Sequence, residues 1–373
     1  MAKQQRQYTA ESVSRGHPDK IADQISDAIL DAYLAIDPDA KVACETLITN
    51  KLIVVAGEIS SSATIDVQKV IRTCLSSIYL KAEWDGTIIE NFTKQSQELQ
   101  NACHKGASDQ CIVYGYACDD TKELMPLPIV TAHQIISALE HAKSDLNFLR
   151  ADAKSQVSAT YDDAMKPVSI DSVVISVQHL PDISQDDLNR HIVSRIMPIL
   201  PKQFITKECR ILVNPGGSFV AGGPAADTGV TGRKQIVDTY GSMARHGGGA
   251  FSGKDPSKID RAAAYLARYI AKNVVAARLA QRCEVHMAYA IGIAEPIVFS
   301  INTYNSLDTN KLKKAIYSLF DLAGNRIQDT LNLKRPIFQK TACHGHFGRS
   351  DPDFTWEQLN KAQPLASIYN SRN

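Results

Sequence analysis

Four short stretches of the 373-residue chain carry side chains whose types and spacing could do chemistry. Gly16-His17-Pro18-Asp19-Lys20 stands at the mouth of a predicted helix, where free N–H groups and the helix dipole favour anions. There His17 can bond a phosphate oxygen and Asp19 can hold a hard cation such as Mg²⁺. The plainer alternative is a loop histidine beside a first-turn acid. Glu45 and Glu58 flank a predicted Asn50-Lys51 turn, which pairs Glu45 with residue 56 and sets Glu58 diagonally across on the same face. Two such carboxylates ask for a monovalent metal or a substrate ammonium, unless they lie on an open sheet face. Asn214 to Asp227 is dense in glycine and runs into Thr231-Gly232-Arg233-Lys234, a backbone that can approach a ligand closely beside two cations. Gly247 to Asp255 holds the pattern GxxxxGK from Gly248, but Asp255 occupies the place of the Ser or Thr that binds Mg²⁺ in a P-loop. The segment before it is not an apolar strand, so the loop reads as a phosphate contact outside the P-loop fold. Lys258 and Asp260 follow, where a second cation site could be built.

Several elements must position these residues. Residues 18–36 read as a helix, with Pro18 in the first turn and Ile21, Ile25, Ala28, Ile29 and Ala32 as its apolar stripe. Asp23, Asp27 and Asp31 recur at i, i+4 on another face and read as a solvated stripe. Lys41–Thr49 and Leu52–Ile59 form a hairpin, 64–80 a helix, and 83–111 a long lid-like loop. Further helices are expected at Ile129–Lys143, Asp186–Ile199 and about 255–280, the last with Asp255 as N-cap and Pro256 in its first turn. Strands are expected at Val168–Gln178, Arg210–Val213 and Glu284–Ile293. The mixed order indicates an α+β class.

Composition excludes several functions. Lys plus Arg is 41 and Asp plus Glu is 40, which argues against a duplex-DNA binder and against an acidic disordered chain. No run of 18 apolar residues occurs and the N-terminus is polar, so neither a membrane span nor a signal peptide is expected. Eight scattered cysteines without a CxxC pair suggest reduced packing thiols in a cytoplasmic protein. His344-Gly-His346 lacks ligands at metal spacing, and His133, His141, His179 and His191 read as structural or surface residues.

Taken together, the motifs resemble the methionine adenosyltransferase (S-adenosylmethionine synthase) family along almost the whole chain. The telling segments are Glu11-Ser-Val-Ser with Gly16–Lys20, Val42-Ala-Cys-Glu-Thr46, Arg150–Gln156, Thr231–Tyr240 and Arg245–Lys258. The resemblance implies three related α/β domains with pseudo-threefold symmetry, at 7–103, 105–219 and 221–366. Their mixed sheets would be covered by helices on one side. It further implies a homodimer packed through the sheets with shared active sites, a tetramer as a dimer of dimers, and no nucleic-acid or membrane partner. The expected reaction is attack of the L-methionine sulfur on C5′ of ATP, then hydrolysis of the bound triphosphate to pyrophosphate and phosphate. His17, Lys154, Arg233, Lys234 and Lys254 would serve catalysis on the triphosphate, and Asp152, Phe219, Asp227 and Ala250 would line the nucleotide. Glu58, Gln95, Asp109, Asp227 and Lys258 would surround methionine. Asp19 and Asp260 would hold two Mg²⁺ ions per site and Glu45 would help hold K⁺.

The chain departs from the family's pattern at a few positions. Arg15 stands for a glutamate and Ser218 for an arginine, while Ser108 and Cys111 replace glycines. These changes bear on turnover and substrate preference. They keep open a catalytically weak paralogue acting as a binding or regulatory subunit, and Asp255 weighs against a P-loop hydrolase.

Overall fold

A computed structural model of the chain describes residues 5–79, 84–94 and 106–371. The chain runs β1 (Arg6–Val13), α1 (Pro18–Leu34), β2 (Lys41–Thr49), β3 (Leu52–Ser60), α2 (Val67–Ile78) and β4 (Thr87–Thr93). It continues through β5 (Cys111–Cys118), α3 (Leu127–Ala142), β6 (Leu149–Tyr161), β7 (Pro167–His179), α4 (Gln185–Ile196), β8 (Ile205–Val213), β9 (Gly229–Val230) and α5 (Gln235–Asp238). The last third holds α6 (Ile259–Ala276), β10 (Arg282–Tyr289), β11 (Val298–Asn302), α7 (Thr309–Leu319), α8 (Ile327–Thr330) and α9 (Ala362–Asn370).

The strands form three sheets, ordered β4-β3-β2-β9, β1-β6-β7-β8 and β11-β10-β5. Each carries helices: α1 lies on β2 and against α2, α3 on β1 and β6 with α4 beside it, and α6 on β5 and β10. Two apolar cores result. One lies beneath α1 and α6, and the other between α3, α4 and the β1-β6-β7-β8 sheet. This is the expected α+β architecture of three helix-covered sheets. No helix among the described residues is long and apolar enough to cross a membrane.

Local chemistry explains the elements nearest the site. His17 is the N-cap of α1 and Pro18 occupies its first turn, where a missing N–H costs nothing. Ile21, Ile25 and Ile29 on its apolar stripe are fully buried. The β2–β3 hairpin turns at Asn50-Lys51 with Thr49 opposite Leu52, which places Glu45 against Ala56 and Glu58 against Ala43, as the sequence register requires.

Four expectations need correction. Residues 83–111 are not one long loop, because Thr87–Thr93 forms β4, an edge strand parallel to β3. Its apolar residues Ile88, Ile89 and Phe92 do not alternate, and the sequence that follows is polar, so periodicity does not mark the strand. Asp23 and Asp27 are wholly buried rather than solvated, and Asp31 is half-buried, because distant loops cover that face of α1. Helix α6 begins at Ile259, and Asp255 is not its cap. The Asp255 carboxylate instead accepts N–H bonds from Val42 and Ser257, both 2.8 Å, and closes a turn ahead of the helix. Strand β8 starts at Ile205, five residues before the expected Arg210, since its solvent-facing half is too polar to read as strand.

Candidate active site

The site forms where glycine loops meet the N-terminal half of α1 and the β2–β3 hairpin. His17 is 2% exposed, and its Nδ1 accepts the Asp19 N–H at 3.2 Å. Burial, then the positive charges of Lys234 and Lys154, lowers its pKa to about 3. The ring is therefore neutral at physiological pH. With Nδ1 accepting, its single proton sits on Nε2, which makes that nitrogen a donor.

Asp19 accepts Lys234 Nζ at 2.5 Å and Val230 N–H at 3.0 Å, with Arg233 at 3.8 Å. Burial on its own would raise the Asp19 pKa, but the Lys234 bond, the Val230 N–H and the neighbouring positive charge outweigh it and leave the pKa lowered. Lys154 projects from β6 as an exposed residue, opposite Val13 of β1. Two residues earlier, Asp152 is 5% exposed, and its Oδ2 accepts the Gly223 N–H at 2.9 Å, tying β6 to the first glycine segment. Burial is the main reason its pKa is raised. Asp227 is exposed, and its negative charge is felt at both His17 and Asp152. His17, Asp19, Asp152, Lys154, Asp227, Arg233 and Lys234 thus form one cluster.

A second cluster lies on the other glycine loop. Lys254 Nζ meets Asp260 Oδ2 at 2.5 Å, and the Cys111 thiol donates to Asp260 Oδ1 at 2.9 Å. Lys258, the N-cap of α6, sits 3.9 Å from Asp255. Glu45 is exposed, yet crowding around its carboxylate, with Asp23 and Glu58 adding, raises its pKa against the pull of Lys254. Glu45, Glu58, Lys254 and Asp260 thus share a neighbourhood of alternating charge. The loop is seated on β2 by an antiparallel bridge between Ala43 and Lys254 and by Cys44 N–H bonding to Gly253 O at 2.9 Å. The two clusters adjoin where a Cβ on Gly232 would come within 2.6 Å of Ala250.

Asp109 is exposed and bonds the next residue's N–H, while Gln95 lies outside the described residues. Phe219 is held from both sides by His179, whose N–H donates to Phe219 O at 3.0 Å and whose Nε2 accepts Phe219 N–H at 3.1 Å. The sequence marks His179 only as a structural or surface residue, and this contact makes it structural. Asn214 was also overlooked as more than the start of a glycine run. Its side-chain amide brackets Val177, accepting the N–H at 2.8 Å and donating to the carbonyl at 3.0 Å, so the glycine segment leaves β8 at a set angle. An Asn heading a glycine run is the signal that could have identified it.

The departures from the family pattern also acquire contacts. Ser108 Oγ accepts the Ile259 N–H at 3.0 Å, satisfying a free donor at the start of α6. The Arg15 guanidinium bonds Gln24 at 3.1 Å and Ser77 at 3.2 Å, bridging α1 and α2, and the Arg15 backbone N–H donates to Glu140 at 2.7 Å.

Three family models match in series along the chain. They describe the S-adenosylmethionine synthetase N-terminal domain over residues 5–113, the central domain over 104–219 and the C-terminal domain over 221–358. An S-adenosylmethionine synthase from Pseudothermotoga lettingae is 47% identical over 393 aligned positions, covering 98% of this chain and 99% of the relative. With the glycine loops, the helix-mouth histidine and the paired carboxylates in place, the chain belongs to the S-adenosylmethionine synthetase family.

Proposed function

We infer that the two clusters grip a single triphosphate in a methionine adenosyltransferase. The reaction joins the methionine sulfur to C5′ of ATP and breaks the C5′–O bond, so the whole triphosphate leaves. A thioether has no proton to lose, so no general base is needed. The barrier falls chiefly through alignment of sulfur with C5′ and through stabilisation of the leaving charge. The observation that carries this reading is the pairing of cations with carboxylates, Lys234 on Asp19 and Lys254 on Asp260. Each lysine can turn from its carboxylate to a phosphate oxygen, and each carboxylate is then free for a hard cation.

In this reading His17 Nε2 donates to the oxygen leaving C5′. Lys154, Arg233, Lys234 and Lys254 neutralise the phosphates. Asp152, Phe219, Asp227 and Ala250 shape the nucleotide pocket. Glu58 takes the methionine ammonium, with Gln95, Asp109, Asp227 and Lys258 around the amino acid. Asp19 and Asp260 suit Mg²⁺, which binds through one or two carboxylates and completes its shell with phosphate oxygens. The low pKa of Asp19 keeps that ligand ionised. Glu45, crowded by Glu58 and Asp23, suits K⁺. When bound, these cations add charge neutralisation on the triphosphate, which is then hydrolysed to pyrophosphate and phosphate.

We further propose a cytoplasmic homodimer with shared sites, two dimers making a tetramer. Support comes from apolar side chains left exposed on all three sheets, among them Leu47, Ile112 and Leu212. The test is incubation of the pure protein with ATP, methionine, Mg²⁺ and K⁺. S-adenosylmethionine, pyrophosphate and phosphate should appear in equal amounts. ADP formed without methionine would overturn the reading.

A further inference from the structure

Helix α1 carries Asp19, Asp23, Asp27 and Asp31 at i, i+4 spacing, so four carboxylates line one face over successive turns. Each accepts backbone N–H groups from chain two to three hundred residues away. Asp19 takes Val230 at 3.0 Å, Asp23 takes Gly232 at 2.8 Å and Asp27 takes Gly253 at 2.8 Å. Asp31 takes Phe338 at 2.9 Å and Gln339 at 2.8 Å. A stack of like charges on one helix face repels. Here buried cations offset it: Lys20 lies between Asp23 at 2.9 Å and Asp238 at 2.5 Å, and Arg261 bonds both oxygens of Asp27 at 2.7 and 2.9 Å.

Two rungs of this ladder fall immediately before phosphate cations. Gly232 precedes Arg233 and Lys234, and Gly253 precedes Lys254. Both glycines have positive φ, 79° and 81°, a backbone shape that a side chain would strain. Ser26, also on α1, adds a hydroxyl bridge between Thr46 of β2 at 2.7 Å and Thr231 at 2.8 Å. One helix thereby references both loops and the hairpin to a common frame.

We propose that Asp23 and Asp27 are positioning residues for the triphosphate site. Neither is a cation or a metal ligand in the site described above. Asp23 sets the reach of Arg233 and Lys234 through Gly232, and Asp27 sets that of Lys254 through Gly253. The proposal rests on the reading of those three side chains as phosphate cations. Asp31 is a built-in control, because it holds the 338–339 segment, which carries no proposed phosphate contact.

Asp23→Asn and Asp31→Asn make a matched pair. Each replaces a carboxylate by an amide that can accept from only one of the two donors that carboxylate served. Lys20 keeps Asp238 when Asp23 is changed, so its charge stays paired. The probe is inorganic tripolyphosphate with Mg²⁺, titrated calorimetrically, beside steady-state kinetics and melting curves. Misplacing a catalytic group by about 1 Å can cost about 10²-fold, so Asp23→Asn should weaken tripolyphosphate binding about tenfold and lower kcat by about 10- to 100-fold. Its methionine KM should stay within about twofold. Asp31→Asn should lower Tm while binding and kcat stay at wild-type values.

Equal behaviour of the two variants overturns the inference. Failure of the wild type to bind tripolyphosphate instead overturns the phosphate reading of the loops, so the two failures are distinguishable. If Asp23→Asn does not fold, hydrogen exchange on the wild-type protein decides the matter. Slow exchange at the Gly232 and Gly253 amides without ligand supports the ladder, and fast exchange at both sinks it.

Discussion

His17 shows how one residue can be both structural and chemical. Its Nδ1 caps α1 while burial keeps the ring neutral, which leaves Nε2–H as the donor proposed to meet substrate. A folded pKa of about 3, below the ordinary 6.5, means that the unfolded chain binds the extra proton first. The stability this histidine contributes is present above about pH 6.5 and is lost as pH falls towards 3, at about 1.4 kcal/mol per pH unit. Asp31, raised to about 7 mainly by burial, has the opposite slope, so the comparison must be between variants. His17→Asn keeps an N-capping side chain and should flatten the fall of Tm between pH 6.5 and 4 relative to wild type. It should also slow S-adenosylmethionine formation at pH 8. Lys254→Ala removes a leaving-group cation and should lower kcat by about 10²- to 10³-fold with little change in Tm. An unchanged rate in a product assay would remove Lys254 from the proposed role.

At the scale of elements, α1 and α6 present their N-termini to the glycine loops, and the departures from the family pattern lie at these joints. Ser108 supplies the start of α6 with an acceptor, so Ser108→Ala should cost about 1 kcal/mol, read as a lower midpoint in urea unfolding. Arg15 bridges α1 and α2 through Gln24 and Ser77. Replacing it by glutamate removes both bonds and sets a second carboxylate near Glu140. Arg15→Glu should therefore lower Tm, and kinetics that change without a change in Tm would instead place Arg15 in the site.

The whole molecule is interlaced, since each sheet draws strands from distant parts of the chain. β1 pairs with β6, the two-residue β9 joins β2, and β5 pairs with β10. Each of the three matched segments shares a sheet with another, so none can leave without opening one. Calorimetry should therefore show one cooperative transition, with van't Hoff and calorimetric enthalpies in agreement for the subunit. Three resolved transitions would contradict the interlacing. If copies meet through the sheets as proposed, Leu47→Lys with Ile112→Lys should yield a monomer by ultracentrifugation and abolish product formation.

Much of the site could be read in the chain. Gly16–Lys20, the Glu45/Glu58 diagonal and the GxxxxGK loop carry their chemistry in residue type and short-range spacing, and hairpin register follows from a two-residue turn. The apolar stripe of α1 was equally legible, because helix period and side-chain type are local properties. What covers the opposite face is not local. Asp23 and Asp27 have the spacing of a solvated stripe, and only the arrival of Gly232, Gly253 and Arg261 from more than two hundred residues away turns them into buried acceptors. The same holds for His179 on Phe219 and for Asp255, whose carboxylate is taken by Val42 of β2 instead of the helix it precedes. Residue order encodes which groups can do chemistry. Which N–H each carboxylate meets depends on contacts between segments far apart in the chain, and these exist only once the sheets and helices have packed.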